Sequence, residues 1–219
     1  MKRALITGAN RGIGLQLTHQ LLERGVEVLA VCRKSTTELD ASGAEVIAGV
    51  DVADDDSVAG LATAVGDRKL DLLVNNAGIL TRETIEDIGL DRIRKQFEVN
   101  SLGPLRVTLA LLGNLGAGSL LAIITSLMGS MTDNTSGARY GYRMSKAAVN
   151  AAGVSLSHDL RSRGIGVLLL HPGMVATEMT DRRGIPVEDS VTGLLERIDG
   201  FTIEQSGTFW HSDGRPLPW

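Results

Sequence analysis

Two periodicities alternate along this chain. Short unbroken apolar runs, the pattern of strands buried on both faces, fall at 3–7, 26–31, 44–50, 70–74, 119–125, 165–170 and 207–210. Between them lie longer stretches whose apolar residues recur at helical spacing. The first carries Leu15, Leu17, Leu21 and Leu22 and is closed by Gly25 as a C-cap. A second opens at Asp54, Asp55, Asp56 and Ser57, with negative charge where a helix N-terminus favours it. A third runs over 84–115, with a break expected at Gly103-Pro104. From Leu105 onward its apolar residues cover nearly the whole circumference, the mark of a helix buried on more than one side, with the sheet on one and a second subunit on the other. The helix that starts at Tyr142 carries Ala147, Ala148, Ala151, Ala152 and Gly153, small residues that permit close packing, and the last covers 187–198. The segment 174–186 has no strong period and reads as a mobile flap over a site.

Such alternation predicts one α/β domain over 1–219, a doubly wound parallel sheet of about seven strands with helices on both faces. In these sheets ligands bind at the carboxyl ends of the strands, so residues that follow strands should gather on one edge. Composition agrees: the 219 residues are 43% hydrophobic and 22% charged with a formal net charge of -4, which offers nothing for nucleic acid. His19, His158, His171 and His211 are scattered without ligand spacing, so no metal site is expected. The single cysteine, Cys32, ends an apolar run and reads as a buried structural thiol. Thr7-Gly8 interrupts the apolar run behind Met1-Lys2-Arg3, and the stretch 102–115 is too short and too polar to span a bilayer. A cytoplasmic protein without a membrane partner is expected.

The candidate chemistry lies at the strand ends. After the first strand, Gly8-Ala9-Asn10-Arg11-Gly12-Ile13-Gly14 leads into a helix, a turn whose backbone can approach a pyrophosphate. Its spacing differs from the common Gly-x-Gly-x-x-Gly fingerprint. No acid stands between Val31 and Thr37 to hold a ribose hydroxyl, while Arg33, with Lys34 and Arg11 nearby, suits the extra phosphate of NADP(H) better than NAD(H). Asp51 falls where adenine would be met, and Asn75-Asn76-Ala77-Gly78 follows the fourth strand. Tyr142 and Lys146 share a helix face, where a fixed ammonium stabilises a phenolate and lowers its pKa. Tyr140 has Met144, not lysine, at the matching position. Taken alone, Tyr-x-x-x-Lys also describes a rim tyrosine beside a solvated lysine, so the remaining motifs decide.

Together, Thr7-Gly8-x-x-x-Gly12-Ile13-Gly14, Asn75-Asn76-Ala77-Gly78, Asn100, Ser126, Tyr142-x-x-x-Lys146 and Pro172-Gly173 with Thr177 resemble the short-chain dehydrogenases/reductases along nearly the whole chain. The run around Tyr142 and the ending from Asp213 to Trp219 are similar to the C-factor and Sniffer-like carbonyl reductases within that family. The glycine spacing is the one that family uses. The resemblance implies a Rossmann-type fold and hydride transfer between NADP(H) and a small carbonyl or alcohol substrate. Tyr142 would move the proton, Lys146 tune it and hold the nicotinamide ribose, Ser126 bind the substrate oxygen, and Asn100 hold a water linking Lys146 to solvent. Cofactor contacts would come from Gly8, Asn10, Arg11, Gly12, Ile13 and Gly14, from Arg33, Asp51 and Val52, from Asn76, Ala77 and Gly78, and from Pro172, Gly173, Val175 and Thr177, besides Tyr142 and Lys146. The interval from Ser126 to Tyr142 exceeds the family's usual spacing, which leaves Ser130 as a competitor, and the extra residues would form a pocket wall at 131–139. A homodimer or homotetramer is expected. The alternative function is a cofactor-binding sensor or signalling protein of the same fold with little turnover.

Overall fold

A computed structural model describes all 219 residues. Its strands are β1 (Arg3–Thr7), β2 (Glu27–Val31), β3 (Glu45–Ile47), β4 (Leu72–Asn75), β5 (Leu120–Ile124), β6 (Gly166–His171) and β7 (Thr208–His211). They form one sheet of 7 parallel strands in the order β3-β2-β1-β4-β5-β6-β7. The helices are α1 (Gly12–Glu23), α2 (Thr37–Asp40), α3 (Asp55–Val65), α4 (Leu90–Phe97), α5 (Gly103–Ala110), α6 (Tyr140–Arg161) and α7 (Val187–Asp199).

Side chains alternate across each strand, and both faces are covered. On β1, Ala4 and Ile6 join a core of 22 buried residues with Leu17 and Leu21 of α1 and Leu194 of α7. Leu5 joins the opposite core of 21, with Leu61 of α3, Val107 of α5 and Val149 of α6. Cores of nearly equal size on the two faces explain why the strands read as continuous apolar runs. Strand order reverses between β1 and β4, so the chain leaves those two strands on opposite sides and opens a crevice at their carboxyl ends.

Two predicted elements change. The third strand stops at Ile47, because Gly49 turns at φ +85°, outside strand geometry. The third helix begins at Leu90, not at residue 84; Thr84 closes a turn with Asp87, and Ile85 and Ile88, though helically spaced, are exposed with nothing to bury them. The irregularity in that helix precedes Gly103, as a π turn over Glu98–Leu102, while Pro104 occupies the first turn of α5, where its missing N–H matters least. Asp54 caps α3 through its carboxylate, which accepts from Ser57 N at 2.7 Å, and Cys32 is a buried thiol, its pKa raised by burial. No helix is long and apolar enough to cross a membrane.

Candidate active site

The glycine turn is held by its contact with the end of β4. Thr7 Oγ1 accepts from Asn76 N (3.0 Å) and Ala77 N (3.1 Å), and Asn76 Nδ2 donates to Thr7 O (2.9 Å) and Gly8 O (3.2 Å). Gly8 sits at φ +66°, where an added Cβ would lie 2.9 Å from Ala77 Cα, and a Cβ on Gly14 would come within 2.2 Å of Gly8 O. Only glycine lets these backbones touch. Asn10 Nδ2 donates to Lys34 O (3.0 Å), tying the turn to the end of β2. The first backbone bond of α1 is donated by Leu15 to Arg11 O (3.3 Å), so the amides of Gly12, Ile13 and Gly14 precede the helical ladder. Three such amides, a positive helix end and the exposed Arg33 and Lys34 suit the phosphates of a dinucleotide.

At the sheet's outer end, Arg33 lies 3.9 Å from Asp51, the arginine largely in solvent and the aspartate partly so. Asp51 stands beyond the end of β3, where its Oδ1 accepts from Ala53 N (3.0 Å). Val52 is buried against Gly103, at which a Cβ would approach Val52 Cγ2 to 2.9 Å. Asn75 points away from the crevice and donates to Pro104 O and Thr108 Oγ1.

Asn100, in the π turn, is fully buried and uses its carboxamide on Ile79, accepting from its N (2.8 Å) and donating to its O (2.9 Å). It also donates to Ser145 Oγ (3.0 Å). Gly78 separates it from Lys146: a Cβ there would lie 3.3 Å from Asn100 Oδ1 and 3.8 Å from Lys146 Nζ.

Tyr142 and Lys146 are both buried on α6, and Lys146 Nζ stands 5.8 Å from the phenol ring centroid while donating to Ile124 O at 2.9 Å. Desolvation lowers the ammonium to about 8. The same burial raises the Tyr142 phenol, opposed by the neighbouring Ser126 hydroxyl. In the protein alone, burial therefore outweighs the depression expected from the lysine, because the carbonyl of Ile124 and not the phenol oxygen receives the ammonium. Ser126 Oγ, at the end of β5, accepts from Met128 N (3.1 Å) and faces the phenol, whereas Ser130 Oγ closes the following turn by accepting from Asp133 N (3.1 Å). Tyr140, the first residue of α6, is only half-buried.

The segment 174–186 carries more structure than its sequence suggests. Val175 is buried and bridges to Ile185, and Thr177 and Thr180 form a reciprocal cap around the short turn Glu178–Thr180. Thr177 packs on Gly12, whose added Cβ would lie 3.3 Å from Thr177 Cγ2, and Arg11 pairs with Glu178. Arg82 binds Asp181 at 2.6 Å on the other side. Pro172 O accepts from Ser190 Oγ (2.7 Å) and Ser212 Oγ (3.2 Å), and Gly173 turns at φ +87°, which aims the segment across the crevice.

Sequence reasoning missed several groups in this region. His171, next to Pro172, stands edge-on to His211 at 4.9 Å and is driven down to about 3, chiefly by burial, so it stays neutral. Glu83 and Gln96, both fully buried, bond each other at 3.1 Å beside the start of α6. Glu83 falls just before the stretch read as helical, 84–115, and a fully buried acid there leaves no periodic signal.

Sheet order, crevice and glycine turn define a Rossmann-type α/β protein. The family model for short chain dehydrogenase matches residues 2–186, and the chain belongs to that family of oxidoreductases. It is 42% identical over 226 residues to the 1-hydroxy-2-glutathionyl-2-methyl-3-butene dehydrogenase of Rhodococcus sp. (strain AD45), covering 100% of both chains. It is 45% identical over 162 residues to the C-signal protein of Myxococcus xanthus, covering 72% of this chain and 98% of that one. Among solved structures, the NADPH-bound carbonyl reductase from chicken fatty liver superposes with a TM-score of 0.92 at 30% identity, covering 100% of this chain and 99% of that one.

Proposed function

We propose that this protein is an NADP(H)-dependent reductase of small carbonyl compounds, or dehydrogenase of the corresponding alcohols, and that it acts as a homodimer or homotetramer. What carries the reading is the meeting of Ser126, Tyr142 and Lys146 at the carboxyl edge of the sheet, beside the glycine turn. A nicotinamide, when bound, supplies or accepts the hydride. Tyr142 gives its proton to the carbonyl oxygen, or takes the alcohol proton in reverse, and Ser126 holds that oxygen. Lys146 stabilises the phenolate and holds the nicotinamide ribose. Asn100, across Gly78 from the ammonium, holds the water that returns the proton to solvent. Gly8, Asn10, Arg11, Gly12, Ile13 and Gly14 receive the pyrophosphate side of the cofactor, and Asn76, Ala77, Gly78, Pro172, Gly173, Val175 and Thr177 enclose the rest. Arg33 favours the additional phosphate of NADP(H), with Asp51 and Val52 beside the adenine; the NADPH bound in the chicken carbonyl reductase supports that preference.

The Rhodococcus relative is named for an alcohol bearing a glutathionyl group, and here the exposed Arg139, just before α6, and Arg182, in the segment 174–186, enter no ion pair, so anionic thiol conjugates belong among the substrates tested. The C-signal relative favours a second reading, a signalling protein that keeps the cofactor site with little turnover. One experiment separates them: oxidation of NADPH and of NADH is followed over aldehydes, ketones, quinones and glutathionyl carbonyls, with Tyr142→Phe as the blank. Turnover with NADPH that falls on the order of a thousandfold in Tyr142→Phe, with cofactor binding retained, is expected. Equal rates in both proteins overturn the mechanism, and cofactor binding without turnover by the wild type favours the signalling reading.

A further inference from the structure

Helix α6, which carries Tyr142 in its first turn, has no cap of its own. Its N-cap position is Arg139, which makes no side-chain capping bond. The approach is strained: Gly137, Ala138 and Arg139 take φ of +63°, +52° and +52°, a left-handed run that Ala138 and Arg139 disfavour. Into this gap comes Glu83, from the loop after β4. Its backbone O accepts from Arg139 N at 2.7 Å, and its Oε2 accepts from Gly141 N at 3.2 Å. The carboxylate is fully buried. Oε1 is held by the Thr81 hydroxyl and by Gln96 Nε2 at 3.1 Å, while Gln96 Oε1 accepts from Thr81 N at 3.0 Å.

No cation bonds this carboxylate. Arg92, which feels its charge, is itself bonded to Asp87 at 2.8 Å. What accommodates a buried anion here is the positive end of α6 together with neutral donors from two other elements. The fit is tight, since a Cβ on Gly141 would come within 2.2 Å of Gln96 Nε2 and 3.0 Å of Ile93 Cα. The same loop is anchored one step upstream, where Asn100 takes both backbone groups of Ile79. Asn100 and Glu83 thus brace one loop between the π turn and the start of α6.

We propose that Glu83 is a positioning residue for Tyr142: its buried carboxylate caps the first turn of α6, behind a strained approach, from a distant part of the chain and so fixes where the phenol stands. The proposal rests on Tyr142 as the proton donor.

The test is Glu83→Gln, which keeps the shape and one acceptor oxygen but removes the charge. In steady-state kinetics with the best substrate of the screen, kcat should fall on the order of ten- to a hundredfold, the scale of a displaced catalytic group, with KM and cofactor affinity within about twofold. Equal losses in kcat and cofactor affinity would mark Glu83 as a general support of the fold and overturn the proposal, as would an unchanged kcat. A second readout needs no turnover. The chain has 2 tyrosines, so Tyr140→Phe leaves Tyr142 as the one phenol to follow by 13Cζ NMR during a pH titration. Lys146, whose Nζ lies 5.8 Å from that phenol ring, the Ser126 hydroxyl that bonds it, and Arg139 and Arg143, which flank it in sequence, remain in both proteins. Removing the Glu83 anion should move the Tyr142 titration to lower pH, and an identical titration in Tyr140→Phe with and without Glu83→Gln overturns the role. If Glu83→Gln does not fold, Thr81→Val, which loosens the carboxylate without removing it, should show the same selective loss of kcat, and its absence there counts against the proposal equally. If the wild type reduces no carbonyl, the proposed reaction falls while the titration still decides the part played by Glu83.

Discussion

At the scale of single residues, Lys146 is the group most altered by its surroundings. It is 4% exposed, its Nζ bonds one backbone carbonyl, and desolvation lowers it from 10.5 to about 8. A lysine whose folded pKa is depressed holds its proton less tightly than the unfolded chain does. Between about pH 8 and 10.5 the unfolded state therefore binds more protons, and stability rises with pH across that window. The whole shift corresponds to roughly 3 kcal/mol at most. Urea denaturation of the protein without cofactor should show this rise between pH 8 and 10, and Lys146→Met should flatten it. Tyr142 acts in the opposite sense only above its ordinary value of 10, where the folded state keeps a proton that the unfolded chain loses. A flat wild-type profile below pH 10 would mean that water or a partner group reaches the ammonium.

At the scale of elements, the geometry of the candidate site depends on how the turn after β5 packs against α6. The short turn Leu127–Gly129 carries Ser126 at its start and meets the helix at Gly129, where a Cβ would lie 2.7 Å from the backbone carbon of Lys146. Further along, Gly153 lets α6 approach the sheet, since a Cβ there would sit 2.8 Å from Leu169 Cδ2. Gly129→Ala should cost about 1–3 kcal/mol of stability by overpacking and, by pushing Ser126 away from Tyr142, reduce kcat more than cofactor affinity. Denaturant midpoints and cofactor fluorescence titrations check the two parts separately. The small residues after Tyr142 were legible as a signal of close packing, but which glycine touches which backbone depends on the turn from the preceding strand.

At the scale of the whole molecule, α5 leaves an apolar stripe without cover. Leu102, just before α5, is 40% and Leu109 57% exposed, while Leu105 and Leu112 are half-buried against the core and Val107 and Leu111 are buried under the sheet. The apolar circumference of this helix is thus only partly buried by the single chain, and the proposed homo-oligomer would cover the remainder. Sedimentation velocity should find a dimer or larger species whose population depends on concentration, and Leu109→Glu should shift it to monomer. A wild-type monomer at every concentration would remove the self-association.

The chain's own pattern determined whatever depends on neighbours in sequence. The unbroken apolar runs define the strands, Asp54 caps the helix that follows it, the glycine turn opens α1, and four-residue spacing puts Tyr142 and Lys146 on one helix face. Whatever depends on segments far apart was decided only in the folded molecule. Ser126 and not Ser130 faces the phenol because β5 and α6 meet there. Asn100 is drawn to Ile79 by a π turn that no periodicity announces. Burial, a property of the completed core, sets the ammonium of Lys146 near 8 and raises the phenol beside it. Glu83 becomes part of α6 only when the loop after β4 closes on Gly141, because a cap supplied from elsewhere in the chain exists as a contact in space and leaves no spacing in the sequence.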